Sequence, residues 1–126
     1  MIRMKRSKYS NRKTVKHGIQ FDSKMESEYY DTLLLRQRAG QISELTLQPE
    51  FTLLPSFKRN GRTVRGVKYK GDFMYLEGEK TVVVDVKGVE TKDFIIKSKL
   101  FLSQHPDKEL ILVTKDGGRW SERCAG

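Results

Sequence analysis

The sequence predicts an α/β protein with a mixed central sheet flanked by helices, its elements in the order α-β-β-β-α-β. Three observations carry this. Two segments, one after Ser23 and one from Lys92 to Gln104, repeat apolar residues at helical spacing. Between them lie extended stretches rich in Thr, Val, Leu, Phe and Tyr, and a shorter one follows the second helix. The 126 residues, 37% of them hydrophobic, suffice for one core and hardly for two domains.

The first helix starts at Ser23, which can cap it, and Glu26 three residues on completes a capping-box pattern. Met25, Tyr29, Tyr30, Leu33 and Leu34 form its apolar stripe, and Gly40 ends it. Leu45 to Leu54 reads as a strand, which Pro49 puts at a sheet edge or at a bulge. The run from Lys58 to Lys70 contains Asn60-Gly61 and Gly66 and reads as a loop or wide hairpin. Val67 to Leu76 alternates as one strand, Glu77 to Lys80 turns, and Thr81 to Val86 is a β-branched run buried on both faces. Gly88 breaks that run. The second helix ends at His105-Pro106, and Leu110 to Thr114 is a last short strand. Residues 1–20 read as a flexible basic arm, 21–116 as the domain and 117–126 as a loose tail.

Charge is unevenly placed. The chain carries +9 from 25 basic and 16 acidic residues. Residues 1–24 hold eight basic residues (Arg3, Lys5, Arg6, Lys8, Arg12, Lys13, Lys16, Lys24) against Asp22 alone. A second cluster, Lys58, Arg59, Arg62, Arg65, Lys68 and Lys70, contains no acid. Such clusters either solubilise a surface or hold a polyanion, and two of one sign in a short chain favour nucleic acid. Candidate phosphate contacts are Lys5, Arg6, Lys8, Arg12 and Lys13 in the arm, Arg59, Arg62 and Arg65 in the loop, and Lys97 and Lys99 on the second helix. No apolar run is long enough to span a bilayer, and no apolar segment follows the basic N-terminus as in a signal peptide. Cys124 cannot form an internal disulfide, and with His17 and His105 it makes a poor zinc set. His17 and His105 read as surface residues, and Trp120 as a cover for the core edge. These features fit a soluble domain of a reducing compartment.

Chemistry concentrates on the predicted hairpin. If its turn centres on Gly78-Glu79, Glu77 faces Lys80, Tyr75 faces Val82, Phe73 faces Val84 and Asp72 faces Asp85. Lys87 projects to the face of Asp85. Two opposed carboxylates repel unless a proton, solvent or a cation intervenes, and paired oxygens suit a hard divalent ion such as Mg²⁺. A one-residue slip would undo the arrangement. A structural reading is also open: Asp72 in a turn and Asp85 and Lys87 as solvated charges at a strand end. Glu26 lies beside the apolar stripe of the first helix, where it can serve the site, the cap or both. Gln48 either reaches the site or relieves a strand irregularity.

Asp72, a gap of twelve residues and then Asp85-Val86-Lys87, placed after a Glu-bearing helix, resemble the PD-(D/E)XK nuclease superfamily. Gly71 stands where the superfamily name has its proline. Phe21-Asp22-Ser23-Lys24, Leu47-Gln48-Pro49, Tyr69 to Phe73 and Asp85 to Gly88 look like a small phage-encoded branch, among whose relatives are Holliday-junction resolvases. The resemblance spans about residues 20–114 and implies a restriction-endonuclease-like core. It implies that Asp72, Asp85 and the Val86 carbonyl bind Mg²⁺, with Mn²⁺ able to substitute. Lys87 would orient or deprotonate the attacking water, and Glu26 would hold a second metal or a water. The implied function is a metal-dependent DNA endonuclease in the cytoplasm of a bacterial or phage-infected cell, acting on branched DNA such as a Holliday junction or on recombination and replication intermediates. The alternatives are a non-catalytic nucleic-acid-binding module and, further off, an RNA- or ribosome-associated protein. Paired cleavage of a four-way junction would need a homodimer, for which Leu53, Leu54 and Phe57 could supply apolar surface.

Overall fold

The computed structural model describes residues 13–87 and 89–125. Strands β1 (Thr14–Lys16) and β2 (Ile19–Phe21) form a hairpin before helix α1 (Lys24–Arg38). Then come β3 (Ser43–Leu47), β4 (Glu50–Leu54), β5 (Phe57–Arg59), β6 (Arg62–Val64), β7 (Val67–Lys70), β8 (Phe73–Glu77) and β9 (Lys80–Val86). Helix α2 (Lys92–Gln104), β10 (Lys108–Asp116) and β11 (Arg119–Cys124) complete the chain.

The central sheet has five strands in the order β11-β10-β9-β8-β3. It is mixed: β9 and β10 are parallel, joined through α2, and the other neighbours are antiparallel. A parallel pair needs such a crossover, and a helix supplies it. The two helices cover opposite faces. Tyr29 and Leu33 of α1 pack with Phe73, Tyr75, Val82, Val84 and Val113. Phe94 and Phe101 of α2 pack with Val83, Leu110 and Leu112. Burial on both faces is why β9 reads Val82-Val83-Val84 without alternation.

Local rules explain the element ends. Ser23 Oγ accepts the Glu26 N–H at 3.1 Å, as the cap pattern requires. At the other end of α1, Gly40 N–H bonds Gln37 O and Gln41 N–H bonds Arg36 O, the paired contacts of a Schellman motif. Thr91 caps α2, whose bounds match those expected.

Five expectations are corrected. The run from Leu45 to Leu54 divides at Gln48-Pro49, and the run from Val67 to Leu76 divides at Gly71-Asp72. On one side β3 pairs with the central sheet, and on the other β4 and β7 pair with each other as a separate ribbon. The two breaks are bonded together: Gly71 N–H to Pro49 O and Gln48 N–H to Asp72 O, each at 2.9 Å. Gly71 is needed there, since a Cβ would lie 2.8 Å from Val83 Cγ1. Third, residues 119–124 are not a loose tail but the edge strand β11, held by pairing to β10 and by Trp120 packed on Tyr29. Fourth, residues 14–20 of the expected flexible arm form, with Phe21, the β1–β2 hairpin. The last expected strand is also longer, nine residues in β10. Among the described residues no helix is long and apolar enough to cross a membrane.

Candidate active site

The site grows from the point where β8 begins and β9 ends. The register expected from the Gly78-Glu79 turn is present, from Glu77–Lys80 to Phe73–Val84. There the ladder stops, so Asp72 and Asp85 are not a paired rung. Asp72 N–H bonds Val84 O at 2.9 Å, and its carboxylate Oδ2 accepts the Val86 N–H at 2.7 Å. The aspartate side chain thus takes the place of a ladder carbonyl. Val86 meets the Asp72 side chain through its N–H.

Asp85 is almost wholly buried, with 2% of its surface exposed. Its Oδ1 lies 3.1 Å from Lys87 Nζ, and its Oδ2 accepts a hydrogen bond from the Tyr69 hydroxyl. The Lys87 ammonium also sits 4.4 Å above the Phe94 ring, and the Lys87 N–H bonds Val113 O. A lysine so placed is largely desolvated along its stem and held by charge at its head.

Glu26 enters from α1, only 7% exposed. It completes half of a capping box: its N–H bonds Ser23, while its carboxylate takes a hydrogen bond from the Asp22 backbone and another from Asp72. Burial pushes the Glu26 carboxyl up, opposed by the Asp72 hydrogen bond and reinforced by Asp22 and Asp85. Asp72 is held well above the ordinary carboxylate range by burial first, then by the charges of Asp85 and Glu26. Burial and Asp85 also push the Tyr69 phenol up, so it stays a donor.

Glu26, Asp72, Asp85 and Lys87, separated by up to 61 positions, are therefore neighbours in one electrostatic cluster. Among the described residues no three such groups stand ready-made in ligand geometry. Asp85 Oδ1 is taken up by the ion pair with Lys87. Beside the cluster lies a pocket of about 90 Å³, lined by Glu26, Asp72, Leu47, Gln48 and the β2 residues Ile19, Gln20 and Phe21. Sequence reasoning missed Tyr69 and the β2 wall. Gln48 lines the pocket with its backbone in the left-handed region, at φ 50°.

A family model described as "Protein of unknown function (DUF1064)" matches residues 6–119. The chain belongs to the DUF1064 family. The whole candidate site lies within the span of that DUF1064 match. No curated protein matches the chain. Among solved structures, the DUF1064 chain is similar to one titled "Crystal structure of SSO0001", at 15% identity and a TM-score of 0.47, over 79% of this chain and 48% of the other. It spans about half the length of that protein.

The expected nucleic-acid contacts scatter. Lys5, Arg6, Lys8 and Arg12 lie outside the described residues, as does Gly88. Lys13 and Lys99 are exposed, while Lys97 pairs with Asp93 at 3.2 Å along α2. Arg59, Arg62 and Arg65 are exposed on and just beyond the β5–β6 hairpin. Leu53 is buried in the core, leaving Leu54 and Phe57 as exposed apolar residues of the expected interface. His105 is half-buried against Phe101 and Phe51, not on the open surface.

Proposed function

We propose that this DUF1064 protein is a metal-dependent endonuclease that hydrolyses DNA phosphodiester bonds, with a restriction-endonuclease-like core of the PD-(D/E)XK kind. It is supported above all by the gathering of Glu26, Asp72, Asp85 and Lys87 at one end of the central sheet. Structural carboxylates do not need this arrangement. Three buried or half-buried acids stand beside one lysine, and burial first, then the neighbouring carboxylates, pushes Glu26 and Asp72 up.

The donor set suits Mg²⁺ or Mn²⁺, because every side-chain ligand on offer is a hard carboxylate oxygen. Asp72, Asp85 and Glu26, with the Val86 carbonyl, would hold the ion, which when bound supplies a Lewis acid at the phosphate and an activated water. Lys87 orients the attacking water or takes its proton, and its charge offsets the charge that builds on the phosphate. Tyr69 and the Val86 N–H fix the two aspartates from behind. Paired incision of a four-way junction requires two such sites, hence two copies. DNA as substrate fits a bacterial or phage-infected cytoplasm.

The test is incubation with linear, nicked and four-way DNA, with Mg²⁺, Mn²⁺ or chelator. Cleavage is expected with either metal and not with chelator. Asp85→Asn should abolish it and leave DNA binding intact, and Lys87→Ala should slow it at least about 100-fold with little loss of affinity. Binding without cleavage of any substrate by the wild type would instead mark a non-catalytic nucleic-acid-binding module.

A further inference from the structure

The β5–β6 hairpin has no role in this chemistry, and core packing does not explain it. Its strands pair only with each other, and every residue from 57 to 65 is exposed. Directly opposed residues share a face, so Arg59 with Arg62 and Phe57 with Val64 lie on one side of the ribbon. Two like charges opposed at a hairpin tip are unfavourable without an anion between them. Phe57 and Val64 are 42% and 37% exposed, an apolar pair beside that cationic pair. With Lys58 and Arg65 the hairpin carries four cations and no acid. The arginine ion pairs among the described residues, at Arg36 and Arg123, leave all three of these arginines out.

The hairpin is also held at a set angle. Gly66 N–H donates to Ser56 Oγ at 3.1 Å, and a Cβ on Gly66 would come within 2.2 Å of the Leu54 carbonyl oxygen. The two strands leaving the hairpin therefore cross in contact and lead into the β4–β7 ribbon, whose far end is Asp72.

We propose that this hairpin is a wing that enters a groove of double-stranded DNA on one flank of the cleavage site, an inference that rests on the nuclease reading above. A two-stranded ribbon fits the major groove, where Phe57 and Val64 would meet thymine methyls while the arginines meet phosphates or guanine edges. A second copy of the chain is a poor occupant, because four cations would face four. Arg62 and Asp72 are ten positions apart. Extended chain spans roughly 33 Å over that length, so the wing reaches DNA up to about one helical turn from the cut.

The experiment compares the wild-type full chain with the triple variant Arg59→Ala/Arg62→Ala/Arg65→Ala by fluorescence anisotropy in chelator, across a salt series. The probes are a DNA duplex of roughly two helical turns, its single strand and the matching RNA duplex. Duplex-DNA affinity should fall at least about tenfold and the log–log salt slope by about 2–3, while single-strand affinity stays within about twofold. The corresponding triple Lys variant, which keeps the charge, should retain most of the slope and controls for folding. An equal loss on single strands, a larger loss on RNA duplex, or no loss would overturn the wing. The two proposals fail separately. If the wild type cleaves nothing but duplex binding still depends on the three arginines, the nuclease reading fails and the wing stands. If it cleaves while the Ala variant binds duplex unchanged, the wing fails and the nuclease stands.

Discussion

Asp72 serves two ends that pull against each other. Its carboxylate finishes the β8–β9 ladder by accepting the Val86 N–H, and it sits among the charges of Asp85 and Glu26. The first asks only for an oxygen; the second penalises the negative charge. Asn keeps the oxygen and drops the charge. Asp72→Asn should therefore stabilise the metal-free protein by ~1 kcal/mol while abolishing cleavage, the usual cost of a functional carboxylate. The pH dependence has a definite sign. A carboxyl raised by folding leaves stability intact below its ordinary range and removes it as pH rises through the folded-state value. The gap between variant and wild type should thus widen from acid to neutral pH in chelator, as urea denaturation would read. A gap that is flat with pH would mean the charge is relieved some other way. Asp72 and Asp85 were legible in the sequence because a turn and a two-residue period fix which positions come together. Tyr69 was not, since a tyrosine in an alternating strand looks like any core residue until its hydroxyl finds Asp85.

Among the elements, the long and amphipathic ones were legible and the short or polar ones were not. Helix α1 announces itself through Ser23, Glu26 and Gly40, and α2 through its apolar spacing and His105-Pro106. Strand β11 hides because only Trp120 of its six residues is half-buried, so Arg119, Ser121, Glu122 and Arg123 read as a tail. Strands β1 and β2 are three residues each, too short for a period to show. The divided runs at Gln48-Pro49 and Gly71-Asp72 escape for another reason: alternation continues across the break, and only tertiary contact bends it. The weight of β11 can be measured. Trp120 stacks edge-on against Tyr29 at 5.0 Å, and the Tyr29 hydroxyl bonds Glu122 of the same strand. Trp120→Ala should cost about 2 kcal/mol, less than a fully buried Trp, in chemical denaturation. An unchanged midpoint would reduce the strand to backbone pairing alone.

At the scale of the whole molecule, charge and fold are separately organised. Residues 1–12 carry five basic residues and no acid, and the first described strand, β1, starts at Thr14. Deleting residues 1–12 should lower the salt slope of DNA binding by up to about 4 without moving the melting temperature. Deletion through residue 18 would also remove β1, whose partner β2 walls the pocket, and should lower stability and cleavage together. A salt slope unchanged by the shorter deletion would show that the arm does not touch phosphate. The paired breaks in the chain carry one further consequence. Sheet and ribbon are joined along the chain by a hinge two strands wide, and Asp72 is one of its four residues, tied by its N–H to the sheet and by its C=O to Gln48. The ribbon also rests on α2, where Leu53 and Tyr69 pack with Phe94 and Phe101 and Gln104 bonds the Leu53 carbonyl, so a load on its outer end is shared between that helix and the carboxylate at its hinge.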